Sequence, residues 1–86
     1  MPEPPKGPRG KSLVTKRSIR LDGHRTSVSL ETAFWDELKS IADAQGVPVG
    51  QLIAAIESER RERQYPNLSS VIRLFVLEYY RNRMQP

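Results

Sequence analysis

The stretch from Arg25 to Gln51 constrains the fold more than any other part of this 86-residue chain. It begins with a short alternating run, RTSVSL, and passes directly into a helical pattern that stops at Gly46. A second apolar-periodic segment begins a few residues later. A strand, a helix, a glycine stop and another helix thus fit into about thirty residues, and one or two strands alone are marginal in water. The sequence therefore predicts a strand that a second copy of the chain completes.

Composition removes most other ways of stabilising so small a domain. Small domains bury a limited share of their surface and usually need a disulfide, a metal or a partner. The chain has no cysteine and one histidine, which excludes disulfides, leaves no zinc site and gives no reason to expect a cofactor. No apolar run approaches the roughly 18 residues of a membrane span, and the N-terminus lacks the apolar core of a signal peptide. We expect a homodimer, without membrane contact, in the cytoplasm.

The positive charge is concentrated near the N-terminus. Residues 1–25 carry seven basic and two acidic residues, whereas residues 26–86 carry seven basic and eight acidic residues. A field of this sign attracts polyanions such as double-stranded DNA; the alternative is a solvated tail that aids solubility. Residues 1–16, rich in proline, glycine and basic side chains, predict a disordered arm. Such an arm either follows a phosphate backbone or is an inert terminus.

The dipeptide Asp22-Gly23 separates two alternating runs and predicts a β-hairpin with a type I′ turn. The strands are expected at about residues 17–21 and 24–30. Alternation divides the second strand into two faces. The apolar face consists of Thr26, Val28 and Leu30. The polar face consists of Arg25, Ser27 and Ser29.

Three helices are predicted after the hairpin, at about residues 31–45, 48–63 and 68–83, so that residues 17–83 form one domain. Phe34 lies on the apolar face of the first helix, with Trp35 at its edge. The third helix has a wide apolar face that implies burial on more than one side, while Arg73 is expected to be solvated. The predicted dimer core comprises Val28, Leu30, Phe34, Trp35, Leu38, Ile41, Leu52, Ile53 and Ile56.

The sequence contains no arrangement of side chains that is typical of a catalytic site. Ser69 and Ser70 have no histidine base at motif spacing, and the adjacent Asp36 and Glu37 point to different faces of a helix. No glycine-rich loop carries the lysine of a phosphate-binding loop. We therefore expect no enzyme and no metal site.

The polar strand face fits DNA better. A two-stranded ribbon fits the major groove, where arginine pairs with guanine and serine can donate or accept at several base edges. The start of the second helix offers free backbone N–H groups to a phosphate. The alternative is an ordinary half-exposed strand, since any such strand alternates in this way.

The segments RTSVSL, ETAFWDELKSIADAQG, VPVG and QLIAAIESE resemble the ribbon-helix-helix family of bacterial and phage repressors. The stretch KRSIRLDGHRTSVSLETAFWDELKSIA, with the later NLSSVIRLFVLEYY, resembles more closely the short alphaproteobacterial ribbon-helix-helix domain proteins. The resemblance implies an α+β, mainly α fold, a ribbon-helix-helix with an N-terminal β-hairpin extension and an extra C-terminal helix. It also implies an intertwined homodimer whose two central strands pair antiparallel and enter the major groove.

The resemblance also implies roles for particular residues. Base contacts fall on Arg25, Ser27 and Ser29. The phosphate anchor at the start of the second helix falls on Val49, Gly50 and Gln51. Apart from the resemblance, the charge of the basic N-terminal residues predicts Lys16 and Arg17 as further phosphate contacts. The family usually has serine or asparagine at this anchor, and here only backbone N–H groups remain.

Two functions follow from this sequence. The first is a dimeric transcriptional regulator, a repressor that binds double-stranded DNA. The second is a dimeric protein–protein interaction module, of antitoxin or adaptor type, with weak or no DNA binding. The excess of acids outside the N-terminal part favours the second function.

Overall fold

Two strands are followed by three helices in this computed structural model, which describes residues 13–84. The elements are β1 (Val14–Leu21), β2 (His24–Glu31), α1 (Thr32–Gln45), α2 (Val49–Arg63) and α3 (Leu68–Met84). The predicted α+β, mainly α fold is confirmed. The first strand begins three residues earlier than predicted, so residues 14–16 are strand rather than arm. Residues 1–12 of the predicted arm lie outside the described part.

The two strands form an antiparallel hairpin in which Leu21 lies opposite His24 across the turn. Asp22 and Gly23 both have positive φ angles, 51° and 80°. This is the conformation that a type I′ turn requires at its two central positions, and it is the turn that the Asp-Gly dipeptide predicts. The pairing continues without interruption to Val14 opposite Glu31.

The core lies between one face of the hairpin and all three helices. α3 contacts α1, α2 and β2, while α2 also contacts β1. α3 therefore belongs to the core rather than to a layer outside it. The buried residues are Leu21, Val28, Leu30, Trp35, Leu38, Ile41, Ala42, Leu52, Ile53, Ile56, Val71, Ile72 and Val76.

The sequence pattern predicted that Phe34 would be more deeply buried than Trp35, and the structure shows the reverse. Trp35 is 4% exposed and lies in the core, whereas Phe34 is only partly buried beside it. Phe34 instead lies under the guanidinium group of Arg73, 6.0 Å from ring centroid to Cζ. The two positions are one residue apart and both border the helix face defined by Leu38 and Ile41, so periodicity alone does not separate them.

α3 is tied to β2 by polar contacts as well as by packing. The Ser69 hydroxyl donates to the carbonyl oxygen of Ser29 over 2.7 Å. Arg73, which the pattern predicted to be solvated, donates from Nε to Glu31 Oε1 over 2.8 Å. Its Nη2 lies 2.8 Å from the same oxygen in an ion pair. These bonds hold the first two turns of α3 against the end of β2.

The ends of α1 and α3 follow their sequence signals. Gly46 terminates α1 with φ 71°, and the N–H of Val47 donates to Ala42 over 3.0 Å, as in a Schellman motif. Asn67 caps α3 by accepting from the Ser70 N–H over 2.8 Å. None of the helices within residues 13–84 has the length and apolarity to cross a bilayer.

Replacement of a buried leucine is expected to destabilise the fold strongly. Leu38 is 0% exposed whereas Leu74 on α3 is 53% exposed. We expect Leu38→Ala to lower the free energy of unfolding by about 2–5 kcal/mol, because it leaves a cavity. Leu74→Ala is the matched control and should change it by less than about 1 kcal/mol. Urea unfolding followed by circular dichroism measures both; equal losses would contradict this description of the core.

Candidate nucleic-acid interface

The hairpin presents one polar face to solvent, opposite the face that covers the core. Because directly opposed residues in an antiparallel pair share a face, the register joins Lys16 with Ser29, Ser18 with Ser27 and Arg20 with Arg25. All six side chains are exposed. We call this surface the outer face, defined by Lys16, Ser18, Arg20, Arg25, Ser27 and Ser29.

The structure thus brings the three predicted base-contact residues together and adds three from β1. Lys16 was predicted as a phosphate contact, but Ser18 and Arg20 were missed. The signal was present, because a two-residue turn at Asp22-Gly23 fixes the register of both strands. The outer face carries three cations and three hydroxyls in three cross-strand pairs.

The charges of the outer face are not neutralised by other described residues. Lys16, Arg20 and Arg25 take part in no ion pair within residues 13–84. Arg20 and Arg25 lie directly opposite each other, an arrangement in which like charges repel. The outer face is therefore a positively charged surface with free hydrogen-bond donors.

An acid at the end of the hairpin is neutralised by α3. Glu31 lies opposite Val14 in the register, and its carboxylate accepts from Arg73. A hydrogen bond from its own backbone N–H, followed by the bond from Arg73, lowers the pKa of Glu31 below its ordinary value. The ion pair with Arg73 keeps this carboxylate from weakening the positive field of the outer face.

Arg17 lies on the opposite face of β1 from Lys16, against α1. Its guanidinium carbon is 5.3 Å from the centroid of the Trp35 ring, a cation–π contact. The indole N–H of Trp35 is buried and has no acceptor among the described residues. Arg17, which the sequence grouped with Lys16 as a phosphate contact, is thus not part of the outer face.

The start of α2 offers backbone donors only. Pro48 precedes the helix without a side-chain cap, and its carbonyl accepts from the N–H groups of Gln51 and Leu52 over 3.0 and 3.2 Å. The N–H groups of Val49 and Gly50 have no partner within residues 13–84. Of the three predicted anchor residues, two therefore have free N–H groups, whereas the N–H of Gln51 is used within the turn.

β2 has an open edge on the side away from β1. Leu21 and His24 form the hydrogen-bonded pair that closes the turn, and bonded and non-bonded pairs then alternate along the hairpin. Arg25, Ser27 and Ser29 therefore direct their N–H and C=O groups away from β1. The hydroxyl of Ser69 bonds to the Ser29 carbonyl, and no other described backbone group bonds to this edge.

Most of the predicted dimer core is already buried within one chain. All nine residues except the partly buried Phe34 are less than 10% exposed without a partner. α3 supplies the covering surface through Val71, Ile72 and Val76. Their burial therefore does not by itself require a second chain. The open edge of β2 is the surface that remains available for pairing with one.

Within the described residues, no cluster of acidic or histidine side chains could hold a metal ion.

Comparison with known proteins identifies the fold family. A family model described as a ribbon-helix-helix domain matches residues 14–80, most of the chain. Among solved structures, an uncharacterized protein from Bordetella pertussis Tohama I is 36% identical with a TM-score of 0.75. That match covers 87% of this chain and 62% of the other, so the chain spans less than two thirds of the similar protein. A search of curated proteins gave no match.

The chain belongs to the ribbon-helix-helix family. The resemblance seen in the sequence is thus confirmed across both strands and most of the three helices. Proteins with this domain are usually DNA-binding regulators or antitoxins, and the fold is non-enzymatic. Ribbon-helix-helix domains typically dimerise and bind DNA.

The ion pair between Glu31 and Arg73 should be visible in a titration. We expect Arg73→Met to raise the pKa of Glu31 part of the way towards 4.5, because the backbone hydrogen bond remains. In the wild type, the pKa of Glu31 is lower in the folded chain than in the unfolded chain, so its carboxylate stabilises the fold at pH values above the unfolded pKa. This stabilisation is lost as the pH falls through the folded pKa. Carboxyl ¹³C NMR measures the titration, and Arg81→Met is the control; identical midpoints for Arg73→Met and wild type would contradict the pair.

Proposed function

We propose that this chain is a dimeric DNA-binding protein that regulates transcription in the bacterial cytoplasm, as a repressor. The observation that carries the proposal is the outer face of the hairpin, which has three cations without an ion pair and three hydroxyls. Within residues 13–84, its only acid is the neutralised Glu31 at its end. Membership of the ribbon-helix-helix family supports the same function. The base contacts proposed are Arg25, Ser27 and Ser29.

The open edge of β2 supports a dimer through this strand. Two copies of β2 that pair antiparallel around Ser27 would bond through the groups of Arg25, Ser27 and Ser29. The hydroxyl of Ser69 does not block this, since a carbonyl oxygen accepts two hydrogen bonds. The result is a four-stranded sheet with both β2 strands at its centre and both outer faces on the same side.

Base recognition by this face depends mainly on arginine. Arg25 can bind bidentately to the O6 and N7 atoms of guanine, whereas a serine hydroxyl can bond to several base edges. Lys16 and the free N–H groups of Val49 and Gly50 are proposed as phosphate contacts, which set orientation rather than sequence. We therefore propose that the specificity of the protein is concentrated at the base pairs that face Arg25.

Replacement of Arg25 should weaken DNA binding. Loss of one bidentate guanine pairing costs about 1–3 kcal/mol, roughly 5- to 150-fold in affinity. Because a dimer loses Arg25 from each subunit, we expect Arg25→Ala to lose at least that much for a fragment selected from genomic DNA. Wild-type affinity should also fall steeply between about 50 and 200 mM salt. Fluorescence anisotropy measures both.

The control for Arg25→Ala is Arg61→Ala. Arg61 is exposed on α2 and forms no ion pair within residues 13–84, so its replacement removes the same charge away from the outer face. Equal effects of the two variants would show that net charge, rather than the outer face, determines binding. The absence of measurable duplex binding at about 150 mM salt would contradict the proposal.

Two proline variants can test which strand forms the dimer. Ser18 and Ser27 are cross-strand partners, and the N–H of each points away from the other strand, where proline is tolerated. We expect Ser27→Pro to abolish the dimer because it removes a donor from the β2 edge. Ser18→Pro changes only the β1 edge and should remain dimeric. Sedimentation velocity measures both; a wild-type monomer, or a dimeric Ser27→Pro, would contradict pairing through β2.

A second candidate function is a protein–protein interaction module. It is favoured by Leu74 and Leu77, which are 53% and 49% exposed on the outer side of α3. Leu74 also lines a groove of about 330 Å³ between α2 and α3, together with Ile56, Tyr65 and Phe75 among others. A chain that dimerises but does not bind duplex DNA, and that loses a co-purifying partner on Leu74→Asp, would support this function over the first.

A further inference from the structure

We propose that β1 is the strand that contacts phosphates, with Arg20 as its principal contact and Lys16 as its second. The inference rests on the proposed function, since it assumes that paired β2 strands enter the major groove. It assigns a role to a strand that lies outside the minimal strand-helix-helix unit. It also adds Arg20, which the sequence pattern did not single out as a site residue.

The spacing of strands places β1 at the edge of the groove. Adjacent strands lie about 4.8 Å apart, so the two β1 strands of the proposed four-stranded sheet would be about 14 Å apart. The major groove is about 12 Å wide. The two β2 strands therefore fit inside the groove, whereas the β1 strands lie over the phosphate backbones on either side of it. Lys16, Ser18 and Arg20 face these backbones because they belong to the outer face.

The charges of the hairpin support the same assignment. Arg20 and Arg25 are held opposite each other next to the turn, which is unfavourable for like charges unless an anion is near. Neither guanidinium has an acidic partner within residues 13–84, and Asp22, in the turn itself, forms no ion pair with either. A phosphate beside Arg20 supplies the missing counter-charge.

β1 also supplies charged side chains for phosphate binding, which the start of α2 lacks. Among residues 13–84, only the N–H groups of Val49 and Gly50 are free there, and no side chain caps the helix. Two backbone donors bind a phosphate less strongly than donors that carry a full charge. Arg20 and Lys16 therefore provide the charged phosphate contacts on this chain, one strand away from the base contacts.

The experiment compares Arg20→Ala with wild type and with Arg61→Ala, the control for loss of one charge. Each variant is titrated with a mixed-sequence DNA duplex over a range of salt concentrations. Removing one phosphate-binding cation from each subunit makes the slope of log affinity against log salt less steep by about 2 for a dimer. We expect this change for Arg20→Ala, a smaller one for Arg61→Ala, and weakening that is uniform across DNA sequences.

Charge-conserving variants distinguish the role of β1 from that of β2. A phosphate accepts lysine as a point charge, whereas bidentate pairing with guanine needs the arginine fork. We expect Arg20→Lys to keep the salt slope and the sequence preference of the wild type. We expect Arg25→Lys to keep the slope but lose preference when a random duplex pool is enriched by binding and sequenced. Circular dichroism checks that each variant is folded.

The outcomes distinguish this inference from the proposed function. If wild type binds duplex DNA and Arg25→Ala weakens it, but Arg20→Ala behaves like Arg61→Ala, the role of β1 is wrong and the function stands. If Arg20→Lys loses sequence preference, Arg20 contacts bases and the assignment to phosphate is wrong. If wild type does not bind duplex DNA, the proposed function fails and this inference fails with it.

Discussion

The register of the hairpin is the constraint on which the other features depend. Two consecutive positive φ angles, at Asp22 and Gly23, set which residues lie opposite each other. The alternation of a strand then sends Val28 and Leu30 into the core and the cations to solvent. A slip of one residue would expose both side chains, each worth about 1.5–3 kcal/mol when buried, and would turn Arg25 towards the helices. The turn and the core thus enforce the same outer face.

The third helix changes what a second chain would contribute. The sequence predicted a second chain because one or two strands alone are marginal in water, and the family resemblance implied an intertwined dimer. In the strand-helix-helix unit alone, Leu30 and Leu38 would lack a covering layer. Here Ile72 and Val76 provide that layer within one chain, and Ser69 and Arg73 fix it to the end of β2. A second chain would therefore add hydrogen bonds along the β2 edge rather than complete the hydrophobic core. Core formation and strand pairing become separable steps.

The sequence predicted the elements well because their signals are local. The Asp-Gly turn and the glycine stop at Gly46 each depend on a few neighbouring residues, and each has the predicted role. The polar strand face also followed from alternation alone.

Tertiary geometry was harder to predict from the sequence. Charge placed Arg17 beside Lys16 as a phosphate contact, but alternation in β1 sends it to the face where Trp35 lies. Arg73 was expected in water because helix periodicity does not show that α3 crosses the end of β2, where Glu31 attracts it. The alternation that divides β2 into two faces also applies to β1, and it assigns Arg20 to the outer face. The hairpin thus has a second row of cations, and in the proposed DNA complex this row compensates for an α2 start that has no side-chain anchor.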